Sequence, residues 1–186
     1  MIFLTADTHI DHLNIIKYCN RPFTATDEMN TTIIANTNNA VGVNDTLWHL
    51  GDVAWNKIEW YFEMVKCKNI HLIPGNHDVK VIHRLDKLHT LGRIKLYRAP
   101  DPYNNITVNT TICGQKVSLS HFPHRSWNCS FHGAYSLYGH VHGNIKNPDP
   151  NSMDVGVDPN GFTPVSWDRV LQVMKEFGIR GATPQT

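Results

Sequence analysis

The sequence has almost no excess charge of either sign. Its formal net charge is +1 over 186 residues, and charged residues make up 18% of the chain. Binding long nucleic acid or an acidic membrane through the overall field needs a large positive excess, so neither partner is favoured. The length suits one domain over residues 1–186, and a hydrophobic fraction of 41% is ordinary for a globular protein.

Paired cysteines and long apolar runs are also missing. The four cysteines form no CxxC motif, which argues against a zinc knuckle and against a disulfide framework. No apolar run approaches the length of a membrane span, and the N-terminus lacks the basic region of a signal peptide. We therefore expect reduced thiols, a cytoplasmic location and no membrane partner.

Strand-like and helix-like patterns alternate through the first half of the chain. Apolar runs predict strands at 2–6, 46–50 and 69–73. Helical spacing predicts helices at 13–19, 57–67 and 79–90. Thr24 and Asp27 fit a capping arrangement, which predicts a further helix that ends near residue 38.

The second half of the chain reads mostly as strands. The pattern predicts a hairpin of strands 106–113 and 116–122 around a Gly114-Gln115 turn, then strands at 134–139 and 153–157 and a last helix capped by Ser166. Together the two halves predict an α/β fold: a two-sheet sandwich flanked by helices, with mixed parallel and antiparallel strands.

Twelve histidines are the unusual feature of the composition. Several predicted strands end in residue types that bind metal ions, namely Asp7, His9, Asp52, Asn76, His77, His121, His140 and His142. Ligands collect beyond the carboxyl ends of strands in open α/β sheets, so we expect these ends to converge. Two pairs, Asp7 with His9 and His140 with His142, are spaced so that extended backbone would point both side chains to one side.

The ordered motifs DxH, GD, GNH, H and GHxH resemble those of the calcineurin-like metallophosphoesterase superfamily. The stretches "DTHIDHLNIIKYCNRPF", "SHFPHRSWN" and "LYGHVHG" are similar to its small single-domain bacterial and phage members. The resemblance covers residues 2 to about 170 and adds support to the sandwich fold.

The resemblance implies a pair of divalent metal ions. Asp7, His9 and His142 would hold one ion. Asn76, His121 and His140 would hold the other, and Asp52 would bridge the two. It further implies attack on phosphorus by a metal-bridging hydroxide, while His77 assists the leaving group. Nitrogen and oxygen ligands suit Mn, Fe, Zn, Co or Ni, and the lack of a thiolate makes Mn the first choice.

The implied activity is hydrolysis of a phosphodiester, with nucleotides or cyclic nucleotides as the leading substrates. A phosphomonoesterase is the alternative for the same small phosphoester partner. A non-catalytic metal-binding scaffold is a third reading, which predicts eroded ligands, and none is eroded here. The near-neutral charge does not favour long nucleic acid as a partner.

One position departs from the family pattern. Some relatives orient the histidine that corresponds to His77 with an aspartate three residues after the bridging one, and this chain has Trp55 there. Either Asp78 or a backbone carbonyl orients His77 instead, or its role as an acid is weaker.

Weaker candidates lie near the ligands in sequence. His12 and Asn14 are candidates for lining the pocket, with helix capping as the alternative. His124 and Arg125 are candidates for binding substrate, with a solvated surface as the alternative for Arg125. Trp127 is a candidate for ring stacking, with core packing as the alternative. Asp154 and Asp158 are candidates for contact with the metal ligands. Structural or surface positions are expected for His49, His71, His83 and His89.

Overall fold

The computed structural model describes residues 1–101, 106–146 and 148–181, with side chains described through residue 176. Residues 102–105, 147 and 182–186 of the predicted domain lie outside the described residues. The strands are β1 (Ile2–Thr5), β2 (Thr46–His49), β3 (Asn69–Leu72), β4 (Lys95–Leu96), β5 (Thr107–Ile112), β6 (Gln115–Ser120), β7 (Tyr135–Tyr138), β8 (Ser152–Asp154) and β9 (Val165–Ser166). The α-helices are α1 (Leu13–Tyr18), α2 (Thr26–Ala40), α3 (Ile58–Met64), α4 (Ile82–Thr90) and α5 (Trp167–Gly181). Short 3-10 turns occupy Asp78–Val81, Ser130–His132 and Asp158–Asn160.

The first sheet has the strand order β4-β3-β2-β1-β9. Strands β1 to β4 run parallel, and β9 runs antiparallel to β1. Strands β4 and β9 were not expected from the sequence, because a segment of two residues is too short to show a periodic pattern. Since parallel strands end at the same edge of a sheet, the residues that follow β1, β2 and β3 emerge side by side.

The second sheet has the order β5-β6-β7-β8. Strands β5 and β6 form the predicted hairpin, and β6, β7 and β8 run parallel. The predicted Gly114-Gln115 turn is wrong by one residue, because Ile112 pairs with Gln115 and leaves Cys113 and Gly114 as the loop. Both loop residues have positive φ, 48° and 86°, as a two-residue hairpin turn that matches the strand twist requires.

Helix α2 begins later than the capping pattern predicted. The N-cap is Ala25 instead of Thr24, and the alanine side chain cannot cap the helix. The Thr24 backbone N–H and hydroxyl both donate to the Glu28 carboxylate at 2.9 Å, so Glu28 reaches back over the helix start. The predicted helix over 79–90 is a 3-10 turn followed by α4, and the strand predicted at 153–157 is β8, which ends at Asp154. The Ser166 hydroxyl accepts the Arg169 N–H at 3.2 Å, as a cap of α5 should.

Two hydrophobic cores lie on opposite faces of the first sheet. One contains Leu4 from that sheet, Leu119 and Leu137 from the second sheet and Val170 from α5, so it fills the space between the sheets. The other core packs the remaining face of the first sheet against α2, α3 and α4. The predicted α/β sandwich flanked by helices is therefore confirmed. Among the described residues, no helix is both long and apolar enough to cross a membrane.

Candidate metal centre

The loops that follow five strands meet at one edge of the sandwich. The backbone N–H of Asp7, after β1, donates to the carbonyl of Gly51, after β2, at 2.9 Å. His9 N–H donates to the Asp52 carbonyl at 3.0 Å, which extends the same ladder beyond the strands. In the second sheet, Gly139 N–H donates to the His121 carbonyl at 3.0 Å. Backbone pairing thus continues past the strand ends and holds the candidate ligands close together.

Five of the seven candidate ligands adopt an unusual backbone conformation. Positive φ angles occur at Asp7 (57°), His9 (49°), Asp52 (54°), His140 (71°) and His142 (48°). The expectation that the two-residue pairs lie in extended backbone is therefore wrong, and left-handed turns aim these side chains instead. Residues other than glycine are strained in this region by about 1 kcal/mol or more each, and such strain concentrates at functional sites.

The side chains form two groups of potential metal ligands. Asp7, His9 and His142 each offer an atom within 4.8 Å of the others, and so do Asp52, His121 and His140. Asn76 belongs beside the second group, because its Oδ1 lies 3.1 Å from His121 Nε2.

Asp52 lies between the two groups. Its Oδ2 is 3.6 Å from His9 Nε2 in one group and 3.4 Å from His121 Nε2 in the other. A single carboxylate oxygen therefore faces an imidazole nitrogen of each group.

The residues at this centre fit divalent cations. Asp7 Oδ1 and His9 Nε2 are buried and have no hydrogen-bond partner among the described residues. Buried polar atoms are rarely left without a partner, and a cation would satisfy both. Burial also lowers the pKa of His9, which keeps its imidazole in the neutral form that binds metals. At Gly139 a Cβ atom would lie 2.6 Å from Asp7 Oδ2, so a side chain there would displace a candidate ligand.

Mutual pairing sets the charges at the centre. Burial raises the pKa of Asp7 to about 7, against the nearby charges of His121 and His142. Burial acts the same way on Asp52, but its contacts with His121 outweigh burial and lower its pKa below the usual range. Burial would lower the pKa of His121 and of His142, yet Asp52 raises the first to about 9 and Asp158 raises the second to about 10. Metal binding would replace protons on these imidazoles.

Asp78 does not orient His77. Its carboxylate is buried and accepts the backbone N–H groups of Asp52 at 2.7 Å, Val53 at 3.0 Å and Gly75 at 2.8 Å. The prediction that Asp78 orients His77 is therefore wrong, because both oxygens of Asp78 already bind backbone N–H groups around Asp52.

Aromatic rings surround His77 instead. The centroid of its ring lies 5.3 Å from that of His9, 5.6 Å from that of Trp55 and 5.9 Å from that of His12. The Trp55 ring, 39% exposed, stacks on His12 with centroids 4.5 Å apart. The His77 Nε2 atom is 4.0 Å from Asp52 Oδ2, and its backbone N–H donates to Asp52 Oδ1 at 2.9 Å. His77 therefore borders both ligand groups at the mouth of the centre.

The weaker candidates fall into different places. His12 is buried with its Nδ1 3.4 Å from His9 Nδ1, and its side chain makes no capping bond to α1. Asn14 and Arg125 are exposed, and the described residues give Arg125 no ion pair. His124 is exposed and its Nε2 lies 3.0 Å from Thr107 Oγ1 on β5.

Other sequence candidates have structural roles or contact the ligands from behind. The Trp127 ring is buried and donates to the Ala134 carbonyl at 2.8 Å, as a core residue would. Asp154 accepts the N–H groups of Gly143 and Gly156, whereas Asp158 Oδ2 lies 2.6 Å from His142 Nδ1. His49 is buried, His71 lies 2.9 Å from the Tyr97 hydroxyl, and His83 and His89 are exposed.

Arg21 was not among the functional residues expected from the sequence. This residue is buried and hydrogen-bonds to Asp158 and to the carbonyls of Asp7 and Thr8. Its place in the stretch "NRPF" carried part of the family resemblance, but an arginine in a short polar loop gives no local sign of burial.

A family model for calcineurin-like phosphoesterase matches residues 1–172, and the chain belongs to this family. It is thus a metal-dependent phosphoesterase, a hydrolase whose substrates are phosphoesters. The chain is 34% identical over 185 residues to an uncharacterised protein of Methanocaldococcus jannaschii. The aligned region covers 94% of this chain and 92% of that protein. The crystal structure of a protein of unknown function from Aquifex aeolicus shares the fold, with a TM-score of 0.67, 22% identity and coverage of 93% of this chain and 98% of the other.

Proposed function

We propose that the protein is a phosphodiesterase that uses two metal ions, and that Asp52 would be a ligand of both. Asp7, His9 and His142 would hold one ion, and Asn76, His121 and His140 the other. The observation that carries this proposal is the position of Asp52 Oδ2, 3.6 Å from His9 Nε2 and 3.4 Å from His121 Nε2. A carboxylate shared by two cations reduces their mutual repulsion, because it places negative charge between them.

A pair of divalent ions supplies an activated water and positive charge for the phosphoryl oxygens. The protein's own part is to hold the substrate and move a proton. His77 is the residue for that proton, since its side chain is 34% exposed and faces the centre beside Asp52. Its imidazole would protonate the leaving oxygen, while the rings of His9, His12 and Trp55 limit its rotation.

Positive charge close to the centre is mostly paired already, which favours a diester over a monoester; Lys80, whose Nζ lies 4.8 Å from the centroid of the Trp55 ring, can meet the single charge of a diester. A phosphodiester carries one negative charge and a monoester close to two at neutral pH. Arg21 is bound to Asp158 and to backbone carbonyls, and Lys57 pairs with Asp11 and Asp27. Neither cation is available to a second phosphate charge. The part-exposed ring of Trp55 beside His77 supports a nucleotide leaving group, cyclic or linear. A base that packs on this ring would compete with Lys80, whose Nζ lies 4.8 Å from the ring centroid.

Manganese is the metal we propose, because both ligand groups consist of nitrogen and oxygen donors. Cys19 does form a third group with His142 and Asp158. However, Asp158 is already paired with Arg21 at 2.8 Å, so a cation there would meet a buried positive charge. All four cysteines are free thiols, which supports a reducing, cytoplasmic compartment.

The test compares hydrolysis of bis-p-nitrophenyl phosphate and p-nitrophenyl phosphate by metal-stripped protein supplied with Mn²⁺. We expect faster turnover of the diester and its loss in Asp52→Asn. Asp86→Asn is the matched control, since the Asp86 carboxylate pairs with Arg98 at the surface and with no candidate ligand among the described residues. Faster turnover of the monoester would identify a phosphatase. Folded, Mn²⁺-loaded protein that hydrolyses neither compound would contradict the proposal and favour a scaffold.

A further inference from the structure

Arg21 joins two parts of the chain that carry ligands of the same proposed ion. It follows α1, and its side chain is 0% exposed. The carboxylate that it binds, Asp158, lies 137 residues away in sequence and opens a 3-10 turn after β8. A buried arginine is costly to desolvate unless each of its donors is bonded.

All three nitrogens of the Arg21 guanidinium donate hydrogen bonds. Its Nε and one Nη donate to the two oxygens of Asp158, both at 2.8 Å. The same Nη donates to the Asp7 carbonyl at 2.7 Å, and the other Nη donates to the Thr8 carbonyl at 3.1 Å and contacts Met29 Sδ at 3.3 Å. A planar fork can make this set of bonds, whereas the single ammonium of lysine cannot.

Asp158 connects Arg21 to the candidate metal ligand His142. Its Oδ2 accepts from His142 Nδ1 at 2.6 Å while the same carboxylate remains bound to Arg21. A carboxylate that accepts from one ring nitrogen fixes the orientation of the imidazole and leaves the other nitrogen to bind metal. Arg21 therefore holds the backbone at Asp7 directly and the ring of His142 through Asp158.

We infer that Arg21 and Asp158 are positioning residues for the ion that Asp7, His9 and His142 would hold, an inference that rests on the proposed metal centre. Among the described residues, neither makes a hydrogen bond or ion pair with Asp52, Asn76, His121 or His140. Their loss should consequently affect one ion and spare the other.

The experiment is a calorimetric titration of metal-stripped protein with Mn²⁺ alone. Wild type should bind two ions in separable steps. In Asp158→Asn, which keeps the side-chain shape, one step should weaken by about 10–100-fold, the usual effect of removing a carboxylate behind a histidine ligand. Arg21→Lys, which keeps the charge, should weaken the same step. The other step should keep its wild-type affinity in both variants.

Arg93→Lys is the matched control. Arg93 also donates to backbone carbonyls, those of Phe62, Val65 and Cys67, but makes no contact with a candidate ligand among the described residues. It should lower the melting temperature without changing either binding step.

The outcomes separate the two claims. Wild type that binds no Mn²⁺ contradicts the metal centre itself. Wild type that binds two ions, with variants that bind both as tightly, overturns the positioning role. Equal weakening of both steps, or the same loss in Arg93→Lys, overturns it too, since that result reports general destabilisation. If a variant does not fold, ¹⁵N NMR of Zn²⁺-loaded wild type decides: we expect His142 to keep a proton on Nδ1, and a metal-bound Nδ1 overturns the inference.

Discussion

The carboxylate of Asp78 accepts the backbone N–H of Asp52 at 2.7 Å, so a buried acid that is not a candidate ligand fixes the residue proposed to bridge the metal ions. The same side chain accepts the N–H groups of Val53 and Gly75, which joins the loops after β2 and β3. We therefore expect this one side chain to hold the two loops together before metal binds.

Asp78→Ala should destabilise the fold strongly. It leaves the N–H groups of Asp52, Val53 and Gly75 buried without a partner, so we expect the free energy of unfolding to fall by roughly 2–4 kcal/mol. Urea denaturation of the metal-free protein measures the change. Asp86→Ala, which removes a surface ion pair with Arg98, should cost at most about 1 kcal/mol. Equal losses in the two variants would show that Asp78 does not have this role.

Gly139→Ala should impair the centre. A Cβ at this position would lie 2.5 Å from Ala6 Cβ and 2.6 Å from Asp7 Oδ2, so the segment that carries Asp7 must move. A misplacement of about 1 Å in a catalytic centre can reduce the rate by about 100-fold, and diester hydrolysis with Mn²⁺ measures it. Gly92→Ala is the control, because a Cβ there meets no atom within 4 Å although φ is +70°. Activity lost equally in both variants would show that general destabilisation, and not the contact with Asp7, reduces the rate.

His77→Gln should slow hydrolysis by an amount that depends on the leaving group. A proton donor matters most when the leaving oxygen is strongly basic, so bis-phenyl phosphate should suffer more than bis-p-nitrophenyl phosphate. General acid catalysis contributes about 10²–10⁴-fold, which bounds the larger effect. The ratio of kcat/KM for the two diesters is the measurement. An identical loss on both substrates would mean that His77 positions the substrate and does not protonate it.

Trp55→Ala should shift the same ratio in the same direction and by less. Trp55 stacks on His12 and lies beside His77, and its removal frees the His77 ring while leaving the imidazole in the protein. Trp55→Phe keeps an aromatic surface and should restore most of the wild-type ratio. A change in KM alone, with kcat for the two diesters unaltered, would place Trp55 in substrate binding only.

Stability should fall in acid partly because of His49. Burial lowers the pKa of His49 to about 3, and its Nε2 lies 3.0 Å from Thr8 Oγ1. The unfolded chain takes up a proton near pH 6.5 and the folded protein does not, so this contribution is complete above pH 6.5 and is lost as the pH falls toward 3. His49→Gln should make the free energy of unfolding less steep between pH 4 and 6 by about 1.4 kcal/mol per pH unit. Above pH 7.5 the difference between variant and wild type should stay constant, and an unchanged acid slope would contradict the account.

The sequence by itself determined the fold class, the family and the chain positions of the candidate ligands. Apolar runs that end in Asp52 or Asn76 are local patterns, and parallel strands bring their ends to one edge whatever the details of packing. The choice of these residues as ligands stays a prediction, although the structure gathers Asp7, His9 and His142 into one group and Asp52, His121 and His140 into another.

Only the tertiary structure decided how those side chains are aimed and held. The left-handed backbone of Asp7 and His9 is held by hydrogen bonds to Gly51 and Asp52 in the loop after β2, and no local pattern predicts it. The same holds for Asp78, whose three N–H partners span two loops, and for Arg21, whose partner is 137 residues away. A local pattern records which face of a segment is buried. It cannot record which distant atom a buried donor will meet, because that depends on how all the segments pack together.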